Sequence, residues 1–394
     1  MGAGGRLVRD RMTQHRPTTL MTGATGFLGQ YVLKELMQRG RRVVALLRSP
    51  LQDSRHRLAG MMRPLGIEIN DYITTGQLLL REGALPESLP DGEWGPTDDI
   101  LACAASLQLF SNGNGEPYKT NVEGTRTLLE WADRHHVTRM HSVSTAYVCG
   151  THTNVIREVF HTRPPSFQTE YEETKWVAEE MLAQWAGDNG NVLTVMRPSF
   201  IIGDSNTGYT TQFGGFYQFA RVLNLMRSEF GESSNGDIAH IPHRIPGRPD
   251  IQIQNLVPVD YAARMIAEII LDPACHGQIY HLTDPNPPTW AVFKTYLEQY
   301  FRITGGQFVD SDTLPPDKTM AESLLFEKYD LLLPRLHHQP HFDESNTRRL
   351  RESLGIKYPA FTQERMALML DYAASQRWGQ GAARRHARSV HTPG

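Results

Sequence analysis

The chain has 394 residues, of which 40% are hydrophobic and 21% charged, with a formal net charge of −3. That length suits one large α/β domain or two sharing an interface, and the near-balance of charge gives no basic face of the kind that neutralises nucleic-acid phosphates. No run reaches the ~18 to 20 apolar residues of a membrane span, and the cysteines Cys103, Cys149 and Cys275 have no paired or zinc-like spacing, which points to a reducing, cytoplasmic setting.

In chain order, MGAGGRLVRDRMTQHRP is basic and lacks an apolar signal core, so residues 1–16 read as a disordered lead-in with Met12 as a second candidate start. TTLMTG then reads as a strand, FLGQYVLKELMQRG as a helix closed by Gly40, and RRVVALLR as a second strand. Between the first strand and the helix lie Gly23, Gly26 and Gly29, with Thr25, Phe27 and Leu28 completing the turn. Glycines at this spacing permit a tight turn, close approach of backbone to a pyrophosphate, and close packing of helix on sheet. The helix N-terminus then offers N–H groups and dipole to the phosphates. The second strand ends in Arg48, with no acidic residue before Asp53 to accept from a ribose 2′-hydroxyl. A guanidinium there suits a 2′-phosphate, so NADPH is expected over NADH.

QLLLREG, DILACAAS, RMHSVSTAYV, NVLTVMRPSFIIG, IQIQNLV and QIYHLTD follow as strands, interleaved with the helices NVEGTRTLLEWADRHH, EYEETKWVAEEMLAQWAG and PVDYAARMIAEIILD. Such alternation builds a doubly wound parallel α/β sheet of the Rossmann type, here over residues 17–203 with 251–283 returning to it. The irregular stretch 204–250, rich in Gly, Ser, Asn and Pro, and residues 284–380, with helical segments WAVFKTYLEQYF and FTQERMALMLDYAASQ, are expected to form a smaller, mostly helical substrate lobe. His240 and His243 flank Pro242 and read as loop histidines; no metal site is expected. The basic stretch 381–394 reads as a disordered tail.

In YEETK, Tyr171 and Lys175 stand one helical turn apart on one face. A nearby ammonium stabilises a phenolate and would bring the tyrosine toward its working range. The pair follows a strand whose C-terminal end carries Ser142, Ser144 and Thr145, where ligands of open α/β sheets bind. One of these hydroxyls could hold a substrate carbonyl beside the tyrosine.

TGATGFLG, ACAASLQLF, TNVEGTRTLLEWA, HSVSTAYVCG, YEETKWVAEEML, MRPSFIIGDSNTGY and NLVPVDYAARMI, spread over residues 20–270, resemble the extended short-chain dehydrogenase/reductases, and among them the thioester reductase and fatty acyl-CoA reductase branch. The resemblance implies a Thr145, Tyr171 and Lys175 triad, Thr145 being the hydroxyl five residues before Gly150. It also implies that Lys175 meets the nicotinamide ribose, that Asn121 is a structural asparagine, and that Ala104, Ala105, Pro198 and Ser199 border the cofactor. The family's G-D-L after the third strand is replaced by Gly83, Ala84 and Leu85, which alters one adenine contact. Ser106 and Ala146, with Asp204, Phe213 and Phe216 of the irregular insertion, are the expected substrate contacts. The implied reaction is NADPH-dependent reduction of an acyl thioester, on CoA or a carrier protein, to an aldehyde, with further reduction to alcohol and the oligomeric state left open. A ketone or secondary-alcohol oxidoreductase, a sugar-nucleotide epimerase and a non-catalytic NADPH-binding sensor are the alternatives.

Overall fold

The Val, Leu and Ile runs form one parallel sheet in a computed structural model that describes residues 16–87, 89, 97–152, 154–231, 238–311, 313, 316–329 and 340–380. The lead-in up to residue 15 and the tail 381–394 lie outside the described residues. The strands are β1 (Thr18–Met21), β2 (Arg42–Leu47), β3 (Leu78–Glu82), β4 (Asp99–Ala102), β5 (Arg139–Val143), β6 (Val192–Pro198) and, after three shorter or separate strands, β10 (Ile279–Leu282). Their order is β10-β6-β5-β4-β1-β2-β3, every neighbouring pair parallel. The winding direction reverses between β1 and β4, and the crevice at that switch point is where such sheets take ligands.

Alternation along the strands sends residues to two cores. Met21, Val43, Ala45, Leu101 and Met196 pack beneath helices α1 (Phe27–Gln38) and α7 (Val259–Leu271). Leu20, Val44, Ile100, Met140 and Val195 pack against Leu128 and Trp131 of α4 (Gly124–Arg134) and Leu182 and Trp185 of α5 (Glu170–Asn189). A third core, built around Phe216 and Leu223 of α6 (Phe216–Phe230), Trp290 and Phe293 of α8 (Trp290–Phe301) and Met366 and Leu370 of the helix Gln363–Ser375, belongs to a separate lobe.

Several elements differ from their sequence reading. NVLTVMRPSFIIG is two strands, because Pro198 has no N–H to continue the ladder; β7 (Phe200–Ile202) turns away and pairs with β9 (Leu256–Pro258) outside the main sheet. IQIQNLV therefore contributes to that two-stranded ribbon instead of the sheet. RMHSVSTAYV stops as a strand at Val143 and enters a short 3₁₀ turn, Ala146–Cys149. His240 and His243 lie on β8 (Ala239–Pro246), which pairs in parallel with β11 (Ile303–Val309) and adds a ribbon to the lobe. The helix Ser345–Ser353, assigned with the lobe from sequence, lies against β10. Glu158 holds it there. Its carboxylate accepts from the N–H groups of Asn346, Thr347 (3.2 Å) and His281 (2.8 Å) and from the Thr347 hydroxyl (2.8 Å), capping the helix and tying it to the sheet edge.

Candidate active site

At the switch point Gly23 has φ +76°, and a Cβ on it would lie 2.7 Å from the Ala104 nitrogen. A Cβ on Gly29 would lie 2.0 Å from the Gly23 carbonyl oxygen. Glycine is thus required twice, once for a left-handed turn pressed on β4 and once for a helix pressed on that turn. The Thr22 hydroxyl accepts from the Cys103 and Ala104 N–H groups, both at 3.1 Å, fixing the β4 end to the loop. Gly26 is the N-cap of α1; no side chain caps it and its first turn holds no acid. Uncapped N–H groups over a bare glycine turn fit a dinucleotide pyrophosphate.

Around this cradle the expected contacts fall into different settings. Phe27 is buried, its ring edge-on to Tyr31 at 6.0 Å, so only its backbone can face a phosphate; Thr25 and Leu28 are half-buried. Arg48 is exposed just past β2. Ala84 is half-buried, whereas Leu85 packs on Gly124 in the α4–α5 core. Pro198 ends β6 and Ser199 follows it, its hydroxyl buried with no hydrogen-bond partner among the described residues.

The helix α5 is positioned by several independent ties. Thr169 caps it by accepting from the Glu172 N–H (3.3 Å), while the Glu172 carboxylate accepts from the Gln168 N–H (3.0 Å). Asn121 lies in a one-turn π-helix, Lys119–Glu123, and donates to the Thr174 hydroxyl (3.0 Å) and the Ser106 carbonyl (3.2 Å) while accepting from the Ser106 N–H (2.8 Å). One turn beyond Lys175, Glu179 accepts both arms of a buried Arg197 fork from β6, at 3.0 and 2.6 Å. Sequence reading did not single out this pair. Its signal was a lone Arg in an apolar strand opposite a helix carboxylate.

These ties bring Tyr171 and Lys175 to the C-terminal ends of β4 and β5. Lys175 is buried and its ammonium donates to the Val143 carbonyl at 2.9 Å. Burial lowers the Lys175 pKa, while Glu179 and Cys103 pull it back up. Burial raises the Tyr171 pKa, and Cys103 adds to the rise. Lys175 is not among the groups that move the phenol, whose pKa rises where a lowering was expected, and the ammonium is engaged with β5. Cys103, which sequence reading passed over, stands with this pair; burial pushes its thiol up to about 12 against the pull of Lys175. Its place at the end of DILACAAS was the available clue.

Thr145 is buried, and its hydroxyl oxygen accepts from the Tyr147 N–H (3.3 Å), leaving the hydroxyl proton to donate elsewhere. Neighbouring Ser144 is buried with its hydroxyl unpartnered among the described residues. Ala146 begins the 3₁₀ turn and Ala105 precedes Ser106 in the loop after β4. The other expected substrate contacts have partners of their own. Asp204 Oδ1 accepts from the Asn206 (2.9 Å) and Thr207 (3.0 Å) N–H groups of its own turn. Phe216 is buried in the lobe core between Tyr217, Phe293 and Phe361, and Phe213 packs on Gly379 and Tyr217.

A family model for the male sterility protein NAD-binding domain matches residues 21–266. The chain belongs to that family. Its members are nicotinamide-dependent oxidoreductases of the extended short-chain dehydrogenase/reductase type, and the chain is an oxidoreductase of this kind. Among curated relatives, it is 26% identical over 390 residues to aldehyde reductase lnaA of Aspergillus flavus, covering 89% of this chain and 35% of that one. It is 31% identical over 195 residues to a farnesyl-dihydroquinoline-oxide ketoreductase of Stigmatella aurantiaca, covering 49% of this chain and 53% of that one. The terminal R domain of the myxalamid PKS-NRPS pathway superposes with a TM-score of 0.72 at 23% identity, covering 92% of this chain and 91% of that domain. The chain thus spans about a third of the length of the aldehyde reductase and about half of the ketoreductase. No described helix is long and apolar enough to cross a membrane.

Proposed function

We propose that the chain reduces an acyl thioester, presented on CoA or on a carrier protein's thiol arm, to an aldehyde, with NADPH as cofactor. Bound NADPH supplies the hydride. Gly23, Gly26 and Gly29 with the first turn of α1 hold its pyrophosphate, and Arg48 pairs with its 2′-phosphate. The Thr145 hydroxyl donates to the thioester carbonyl oxygen, and the Tyr171 phenol hydrogen-bonds the same oxygen and gives it a proton as negative charge develops there. Lys175, fixed to the β5 end, keeps two N–H groups for the cofactor ribose and the phenol oxygen. The resulting hemithioacetal expels thiol and leaves an aldehyde.

The observation that carries this reading is a tyrosine one helical turn from a buried lysine whose ammonium is fixed to the end of β5, next to the β4 end that is locked to the glycine turn. A proton donor suits reduction of a carbonyl. A second reading, reduction of a ketone, is favoured by the ketoreductase relative and uses the same residues.

Purified protein with NADPH should be offered acyl-CoA, acyl-carrier-protein and ketone substrates, with products identified. Turnover of ketones and of no thioester would select the second reading. Tyr171→Phe is expected to lower kcat by roughly 10²- to 10⁴-fold with NADPH affinity unchanged; an undiminished rate would remove Tyr171 as proton donor.

A further inference from the structure

Lys175 and Glu179 stand at i and i+4 on α5, a spacing that sets Cβ atoms about 5 to 6 Å apart and lets an ammonium and a carboxylate pair directly. Both are buried, at 7% and 3% exposure, where opposite charges attract more strongly than in water. Yet each takes another partner. The ammonium donates to the Val143 carbonyl on β5 at 2.9 Å, and both carboxylate oxygens accept from Arg197 on β6, at 3.0 and 2.6 Å. Sheet register sets this division: Val143 pairs with Met196, so the end of β5 lies beside Arg197. Arg197, two residues past Val195 of the α4–α5 core, faces the same helix. The guanidinium is itself fixed. Its Nη1 donates to the Val159 carbonyl at 2.9 Å and lies 3.5 Å from His281 Nε2, which is left as an acceptor because Nδ1 donates to the Asp343 carbonyl at 2.7 Å. Burial first, and then Arg197, bring the His281 pKa down to about 3, so the imidazole is neutral.

We propose that Arg197 is a positioning residue for the reaction: by occupying both oxygens of Glu179 it keeps that carboxylate from drawing Lys175 off β5, and so leaves the remaining ammonium N–H groups to the cofactor ribose and the phenol. The proposal rests on the role given to Lys175 above and adds a residue that acts through it. A tie that only held α5 to the sheet would need Glu179 and Arg197 equally. Here the two are unequal. Without Arg197 the buried carboxylate has a second cation one turn away and takes it. Without Glu179 the buried guanidinium keeps the Val159 carbonyl and a neutral imidazole, neither of them an anion, and a buried charge left without its counter-charge is strongly destabilising. The groups around the ammonium are Tyr171 and Glu179 on α5, Cys103 at the β4 end and the Val143 carbonyl, with Arg197, His281 of β10 and His161 gathered around the carboxylate. Burial lowers the Lys175 pKa, and Glu179 is the first group to oppose that fall.

The test sets Arg197→Met beside Glu179→Gln and the double variant, reading the urea midpoint, kcat and its pH profile on whichever substrate turns over, thioester or ketone, and a crystal structure of Arg197→Met. Of the two single variants, Arg197→Met is expected to be the more stable and the less active. Its kcat should fall roughly 100-fold or more, with Lys175 Nζ moved from the Val143 carbonyl to Glu179. Glu179→Gln should be the less stable and the more active, with the alkaline limb of its profile at lower pH, because the carboxylate that holds the ammonium charged is gone. Adding Glu179→Gln to Arg197→Met should raise kcat again, since nothing then competes for the ammonium; should Glu179→Gln alone fail to fold, this comparison decides. Stability and kcat falling in the same order, a double variant no more active than Arg197→Met, or a crystal structure with Nζ still on Val143 would each overturn the proposal. Lys175→Met with undiminished kcat would instead remove the role given to Lys175, and the Arg197→Met crystal structure would still decide whether Arg197 holds the carboxylate away.

Discussion

Replacing Gly29 by alanine places a methyl carbon 2.0 Å from the Gly23 carbonyl oxygen, 2.9 Å from its carbonyl carbon and 3.3 Å from the Ala24 Cα. All three are backbone atoms, so no flexible side chain can yield. The helix α1 must lift off the turn by roughly 1 Å or more to restore ordinary contact, and the turn cannot retreat, since Gly23 is itself wedged against the end of β4. Overpacking of this kind costs up to about 3 kcal/mol, offset by about 1 kcal/mol of better helix propensity, which leaves a net loss of about 2 kcal/mol. The same lift draws first-turn N–H groups away from the pyrophosphate. Losing one charge-assisted hydrogen bond, about 1.5 to 3 kcal/mol, should raise the NADPH Kd by roughly 10- to 100-fold. Gly60, inside α2 (Leu51–Met62), has nothing within 4 Å of its would-be Cβ. Gly60→Ala should therefore stabilise by about 0.5 to 1 kcal/mol and leave NADPH binding alone. Urea denaturation and titration of nicotinamide fluorescence measure both quantities. A Gly29→Ala protein equal to wild type in stability and affinity would refute the close apposition of turn, helix and strand on which the cofactor assignment stands.

Arg48→Ala is expected to weaken NADPH roughly 10- to 100-fold while leaving NADH unchanged, the loss of a guanidinium–phosphate contact; equal effects on both cofactors in parallel titrations would remove Arg48 from the 2′-phosphate. Glu158→Ala leaves four donors around the helix Ser345–Ser353 and His281 without their acceptor, and should cost about 3 kcal/mol or more in urea denaturation. Asp284 is buried with one carboxylate oxygen unpartnered among the described residues, and burial pushes its pKa up to about 6. An acid raised above its unfolded value of about 3.9 holds its proton more tightly when folded, so its stabilisation is whole below about pH 4 and lost as pH rises through 6. Between pH 4 and pH 8 the wild type should lose on the order of 2 to 3 kcal/mol more than Asp284→Asn; parallel pH profiles of the urea midpoint would show that Asp284 does not titrate in that window.

The parts of the molecule legible in the sequence are those whose cause is local. A glycine triplet between a strand and a helix, Val/Leu/Ile runs at strand length, and a Tyr-Lys pair at helical spacing each carry their geometry within a few residues. What was misread depends on partners distant in the chain. NVLTVMRPSFIIG looks continuous because apolar residues flank Pro198 on both sides, yet the missing N–H sends β7 to a strand more than fifty residues later. The helix Ser345–Ser353 goes to the sheet edge because of Glu158, which nothing near that helix announces. Phe213 and Phe216 were expected as substrate contacts, and nothing near them in the chain announces the Tyr217, Phe293 and Phe361 rings against which they pack in the lobe core.

The site shows the same division at finer scale. Spacing put Tyr171 and Lys175 on one helix face, and the simplest electrostatic reading was an ammonium lowering a neighbouring phenol. In the folded chain the ammonium spends a hydrogen bond on the Val143 carbonyl, Lys175 is buried and Tyr171 half-buried, and desolvation disfavours charge on each: the lysine pKa falls and the tyrosine pKa rises. The same phenol gives a proton in reduction of a carbonyl and takes one in oxidation of an alcohol, so the pair serves either direction and the redox state of the cofactor sets which one runs. The Leu109 carbonyl, in the loop after β4, accepts from the Tyr171 N–H at 3.2 Å, so the strand end that carries Cys103 and the helix that carries the pair are tied through a backbone contact that neither segment announces in the sequence.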